Sequence, residues 1–193
     1  MDASRTSPAE ERTSHDIEMG STHVFMASFW YTVPGTLALT WAAYTWIWPN
    51  YAGPATLAGR MAFALQCIFF AFLPVAATSM TVVIKRVADG AHDPLRGYES
   101  RSLRIHSRVL QSHIQQFIWF AVCTLALSTR FEGSEMRLLP VVAGIFLAAR
   151  FLYWFGFATG DPIKRSPGAQ ITLTINVAML LLTAFVFAVR GVS

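Results

Sequence analysis

Arg101, Arg104 and Arg108 stand at spacings of three and four, and Ser112 and Gln115 continue from Arg108 at four and three. On a helix those steps keep all of these side chains on one face, so a row of cations runs into a row of hydrogen-bonding groups. Guanidinium forks hold carboxylates through paired N–H donors, and a hydroxyl and an amide beyond them can fix a peptide-like body. The expected chemistry is recognition of an anionic ligand. The same residues also suit a second role, in which the arginines anchor lipid headgroups and the Ser and Gln side chains join helix to helix. His113 points away from this row, and His15, His23, His92 and His106 read as loop or tail residues without metal-ligand spacing.

Arg150 is the other candidate. It is the only charged residue in the apolar run Leu138–Ala158. An arginine within a membrane costs from about 2.5 kcal/mol upward unless it faces a bundle interior or water, so its presence marks a site. It lies about two helical turns from the end of its run, and Tyr153, three residues on, shares its face and can offer a hydroxyl. Asp161, the acidic residue near that end, fits a turn in Gly160-Asp161-Pro162 better than an ion pair. Cys67 and Cys123 each sit inside an apolar run without a partner spacing, and read as small fillers of helix packing.

These groups need helices to hold them. The chain has 193 residues, 54% hydrophobic and 13% charged, with a mean hydropathy of +0.44. A soluble chain carries about a quarter charged residues, so this one is expected to be an integral membrane protein. Its net charge of +4 does not point to nucleic acid, because the basic residues fall between apolar runs, where anionic lipid headgroups meet them. Five apolar runs predict an all-α fold with five transmembrane helices: Val24–Trp48, Met61–Ile84, Val109–Thr129, Leu138–Ala158 and Ala169–Val189. Pro34 and Pro74 are expected as kinks within helices rather than breaks.

Residues 1–23 hold five of the eleven acidic residues and no aromatic one, and are expected to be a flexible tail. They lack the features of a cleaved signal peptide. Five crossings place Arg5, Arg12, Lys85, Arg86, Arg96, Arg101, Arg104, Arg108, Lys164 and Arg165 on one side, and Arg60, Arg130, Arg137 and Arg190 on the other. That ten-to-four excess puts the N-terminus in the cytoplasm and the C-terminus outside or in a lumen.

The motif R-x-x-x-S-x-x-Q at Arg108, Ser112 and Gln115, followed by "ARFLYWFGFATG" and "KRSPG", resembles the MAPEG family, the membrane-associated proteins in eicosanoid and glutathione metabolism. The resemblance covers about residues 60–190, with Val24–Trp48 left over as an extra N-terminal helix. That five-helix layout is similar to a MAPEG-like branch that includes mattrin. The resemblance implies a left-handed four-helix bundle, a homotrimer, and a site for glutathione or another low-molecular-weight thiol between subunits near the cytoplasmic boundary. Carried over by position, Arg108, Arg150 and Tyr153 match the family pattern, and Lys164 or Arg165 matches its later basic residue. Ser112 stands where asparagine is usual, Gln115 where glutamate is usual, and Phe157 where a second tyrosine is usual.

Two functions follow from that resemblance. In the first, Arg104, Arg108, Ser112, Gln115, Arg150, Tyr153, Lys164 and Arg165 bind an anionic thiol, and Arg86 or Arg96 in the 85–96 loop lowers its pKa for transfer to a lipophilic electrophile or reduction of a lipid hydroperoxide. In the second, the protein is non-catalytic, and the same pocket holds a lipid or supports assembly.

Overall fold

A computed structural model describes residues 8–47, 51–90, 100–158 and 162–190. Its helices are α1 (Pro8–Trp46), α2 (Leu57–Ala88), α3 (Arg101–Arg130), α4 (Leu138–Ala158) and α5 (Pro162–Arg190), with a 3₁₀ turn at Gly133–Arg137. There is no strand among the described residues.

Local chemistry marks the helix ends. The Thr56 hydroxyl accepts the Gly59 N–H at 3.1 Å at the start of α2, and Ser100 accepts the Leu103 N–H at 3.1 Å at the start of α3. Lys85 and Arg86 occupy the last turn of α2, where cations meet the negative end of the helix dipole. Pro34 and Pro74 both lie inside continuous helices, as expected. The Thr78 hydroxyl, one turn beyond Pro74, donates to the Pro74 carbonyl at 2.7 Å.

Two readings change. Helix α1 starts at Pro8, ahead of the apolar start at Val24, so the expected tail is helical from Pro8 on. Composition judged how much surface the stretch could bury, whereas a proline at the first helical position followed by Ala-Glu-Glu-Arg favours a helix locally. His106 lies within α3 rather than in a loop, on the same helix from Ser100 onward that the Arg101, Arg104 and Arg108 spacing requires.

Three helical stretches are long and apolar enough to cross a membrane: Leu57–Ala88, Gly133–Phe157 and Ser166–Arg190. The expected spans in α1 and α3 do not meet that measure. In α3 the polar residues Ser107, Gln111, Ser112, His113, Gln115 and Gln116 dilute the apolar ones, and in α1 the Trp, Tyr and Thr side chains are only weakly apolar.

Helices α2, α3, α5 and α4 pack in a ring, each on its neighbours, with a smaller contact between α3 and α4 across the middle. The small residues Ala64, Cys67 and Ala71 let α2 approach its neighbours closely. Phe120 of α3 meets Phe146 of α4 with ring centroids 4.6 Å apart, and Ile175 and Met179 of α5 complete that layer. Both cysteines belong to this core.

Helix α1 lies outside the ring, on α5 and to a lesser extent on α4. It docks through Ser28, Thr32, Thr36 and Thr40, a stripe at steps of four. Gln170 of α5 donates to the Ser28 hydroxyl at 2.8 Å and to Ser166 at 3.1 Å.

The closest helix contact is at Gly168, where a Cβ atom would stand 2.5 Å from the Tyr153 nitrogen and 2.7 Å from the Ala149 carbonyl oxygen. Backbone cannot rotate aside, so α4 and α5 would have to part. Gly168→Ala is therefore expected to destabilise the protein by about 1–3 kcal/mol. Gly144→Ala on α4 meets nothing within 4 Å and is expected to be neutral or stabilising. Thermal unfolding of the two variants in one detergent checks the contrast.

Candidate functional site

Arg150 is 1% exposed and is the bulkiest fully buried side chain among the described residues. Helix α4 carries it toward α3, where its Nη2 donates to the Ser112 hydroxyl at 3.2 Å. Its guanidinium carbon lies 4.6 Å from the centroid of the Tyr153 ring, one turn along the same helix. A planar cation over an aromatic face recovers part of the desolvation cost that burial imposes. Arg150 forms no ion pair with a carboxylate among the described residues, unlike Arg60 with Glu132 and Arg190 with Glu135. Its Nε has no hydrogen-bond partner.

Tyr153 is held from three directions. Gly168 presses against its backbone, Phe157 lies 5.5 Å away ring to ring, and the His113 ring lies at 6.0 Å. His113 does turn away from the polar row, and that direction is the bundle interior, where it is 1% exposed. Its Nδ1 lies 3.2 Å from the Pro74 carbonyl and 3.3 Å from the Thr78 hydroxyl. Sequence reasoning gave His113 and Thr78 no part in the site. The available signals were the phase of His113 with the buried Val109, Phe120 and Leu127, and the one-turn step from Pro74 to Thr78.

The polar row therefore divides. Ser112 is half-buried and reaches Arg150, whereas Arg104, Arg108 and Gln115 are exposed on the outer side of α3. Gln115 and Arg86 line a groove of about 410 Å³ between α2 and α3, together with Val82, Gln111 and Ile114. Arg96 lies outside the described residues, and the side chains of Lys164 and Arg165, near the start of α5, also lie outside them. At the same boundary, burial and the nearby Lys85 charge push the His106 imidazole below its ordinary pKa. The surroundings there disfavour a further cation. No group of three or more His, Cys, Asp or Glu residues able to hold a metal occurs among the described residues.

The arrangement thus offers a buried, unpaired guanidinium with a hydroxyl and an aromatic face beside it, and a separate outward surface of cations and amides.

The sequence model of the MAPEG family matches residues 55–185, which include α2, α3, α4 and most of α5 and leave α1 outside. Among curated proteins, the chain is similar to Transmembrane protein 79 of Mus musculus and of Bos taurus, at 27% identity over 143 residues in each case. Those residues are 74% of this chain and 36% of either relative, so the chain spans about a third of the length of the curated relatives it matches. No solved structure matches.

If Tyr153 supports Arg150 through its ring, Tyr153→Phe should keep nearly all of the stability and Tyr153→Leu should lose about 2 kcal/mol, the worth of a desolvated cation–π contact. In an Arg150→Met background the penalty for Tyr153→Leu should shrink. Melting temperatures of the single and double variants form the cycle that measures this coupling.

Proposed function

Because the chain belongs to the MAPEG family, we propose that it is a five-span integral membrane protein that binds an anionic thiol at the cytoplasmic boundary and delivers it to a lipophilic substrate. Glutathione is the first candidate for the thiol. The proposed assembly is a homotrimer in which the outward row of Arg104, Arg108 and Gln115 completes the pocket with a neighbouring copy. The N-terminus is cytoplasmic in this reading, on the basis of the ten-to-four distribution of basic residues across the five spans.

The observation that carries the reading is the burial of Arg150 without a carboxylate partner among the described residues. A structural cation in lipid is expensive, and an anionic ligand would supply the missing charge. Ser112, which already accepts from Arg150, would orient the guanidinium, and Tyr153 would cover one of its faces. The reaction class is addition of the thiol sulfur to an electrophilic centre, or reduction of a peroxide by thiol. Arg86 or Arg96 would stabilise the thiolate.

A second reading is a non-catalytic protein with a lipid-binding or assembly role. It is favoured by the position of Arg104, Arg108 and Gln115, which are exposed on α3 and contribute nothing to the Arg150 pocket within one chain.

Arg150→Met separates the two. Removing an unpaired buried cation should leave the assembly as stable or more stable. Glutathione affinity should fall by about 1.5–3 kcal/mol, the worth of a charge-assisted hydrogen bond. A less stable assembly with unchanged affinity would overturn the ligand role. Native mass spectrometry in mild detergent should show a trimer for both proteins, and a stable monomer would count against the shared pocket. For orientation, an impermeant maleimide applied to intact cells should label a cysteine placed at Ser193 and spare one placed at Ser7.

A further inference from the structure

Five cations gather at one end of the α2–α3 pair: Lys85 and Arg86 in the last turn of α2, and Arg101, Arg104 and Arg108 in the first turns of α3. Neither helix contains an acidic residue, and Asp89, which caps α2, accepts a hydrogen bond from the Ser100 hydroxyl. None of the five cations forms an ion pair among the described residues. At the opposite end of the bundle Arg60 and Arg190 each meet a glutamate. One end is thus compensated internally, and the other is left for an external anion.

A groove opens between the same two helices. Its volume is about 410 Å³, and Arg86 and Ser107 line it at the cationic end. Along α2 it extends to Ser79, two helical turns or about 10 Å from Arg86. Val82, Val83, Leu110 and Ile114 make its wall mostly apolar. Gln111, which also lines it, stands one turn deeper than Ser107 on the same face of α3. The Ser107 hydroxyl has no hydrogen-bond partner among the described residues, whereas Thr78 and Thr81 of α2 donate back to their own helix.

From the end inward the groove offers a cation with a spare hydroxyl, then an amide, then hydrocarbon. A phospholipid presents the matching order of phosphate, ester carbonyl and acyl chain. We propose that this groove binds an anionic phospholipid, with the phosphate on Arg86 and Ser107, an ester carbonyl at the Gln111 amide, and one acyl chain along Val82, Val83, Leu110 and Ile114. Helix α2 is long and apolar enough to cross a membrane, so its last turn brings Arg86 to the depth of the headgroups. A free phosphate would leave the apolar wall unused, and a neutral lipid would leave the cluster of cations without a counter-charge. The site is separate from that of Arg150, which is reached through Ser112, a residue outside the groove lining. It is therefore compatible with either function proposed above. With Arg86 on a phosphate, the thiolate of the enzymatic reading falls to Arg96.

The full chain, stripped of lipid in mild detergent and titrated with one compound at a time, reports the site by native mass spectrometry, which resolves each bound molecule. The compounds are palmitoyl-oleoyl phosphatidylglycerol, phosphatidylcholine with the same chains, and sn-glycerol 3-phosphate, a head without chains. Wild type should bind phosphatidylglycerol about tenfold more tightly than phosphatidylcholine, whose choline cation meets the other cations, and should not retain glycerol phosphate. Arg86→Gln should bring phosphatidylglycerol down to the level of phosphatidylcholine. Arg101→Gln removes a charge from the same end but not from the groove lining, and should change binding less than twofold. Val83→Trp, on the exposed part of the wall, should fill the chain slot and weaken both lipids alike.

Equal binding of the two lipids by wild type overturns the proposal. So do equal losses in Arg86→Gln and Arg101→Gln, which would show attraction to surface charge alone. Glycerol phosphate bound as tightly as the lipid would assign the cations to a soluble anion instead. A Val83→Trp variant that breaks up the assembly while keeping its lipid would place a second copy of the chain in the groove, and would equally remove the lipid from it. None of these outcomes depends on whether glutathione binds.

Discussion

A guanidinium enclosed by helices, with no carboxylate among the described residues to neutralise it, is the constraint around which this fold is arranged. Desolvating a charge costs several kcal/mol even after relaxation, and one hydroxyl with one aromatic face returns only part of it. Arg150 has that hydroxyl from Ser112 and that face from Tyr153. Neither partner can be placed loosely. Tyr153 is fixed by the approach of Gly168, which admits no side chain between α4 and α5. Ser112 is fixed by the register of α3, which the Ser100 cap begins and the Phe120–Phe146 layer locks against α4.

Many polar groups elsewhere in the bundle are kept by their own helices or by a neighbour. Thr172, Thr174 and Thr183 donate to carbonyls four residues back, and Asn176 donates to the carbonyl and side chain of Gln116. These bonds make an interior with polar groups tolerable in lipid, where helix association has no large hydrophobic driving force. Arg150 differs from them in carrying a full charge into that interior. The added helix α1 follows the same logic. Ser28 meets Ser166 and Gln170 on α5, the Thr32, Thr36 and Thr40 hydroxyls donate back to carbonyls of α1, and Trp30, Tyr31, Trp41 and Trp46 face outward. The matched family region is thus a ring of four helices, and α1 is joined to it by hydrogen bonds rather than threaded through it.

Membrane residence, helical class and the importance of Arg150 were legible in the residue order because each depends on local composition. A run of apolar residues needs a helix in lipid whatever its neighbours, and a charge inside such a run is costly in any fold. The N-terminal stretch was less legible. Low apolar content argued for a flexible tail, yet the propensity of Pro8 and the residues after it carries the helix back to that point. The span count suffered similarly, since α3 mixes polar and apolar residues and only its packing gives the polar ones a place to go.

The tertiary structure alone decided which members of the polar row meet. Spacings of three and four put Arg104, Arg108, Ser112 and Gln115 on one helix face, but a face is about a third of a helix circumference. The edge of the α3 contact with α4 runs through it. Ser112 falls inside that edge and bonds Arg150, whereas the two arginines and Gln115 stay outside. His113 was set aside on the same reasoning, because periodicity says which side of a helix a residue occupies and not what stands opposite. Opposite it stands the Pro74 carbonyl of α2, 39 positions away in the chain, 3.2 Å from its Nδ1. Hydropathy and spacing are properties of one segment and can be read from it. A pocket is a coincidence of several segments, and only their packing brings its atoms together.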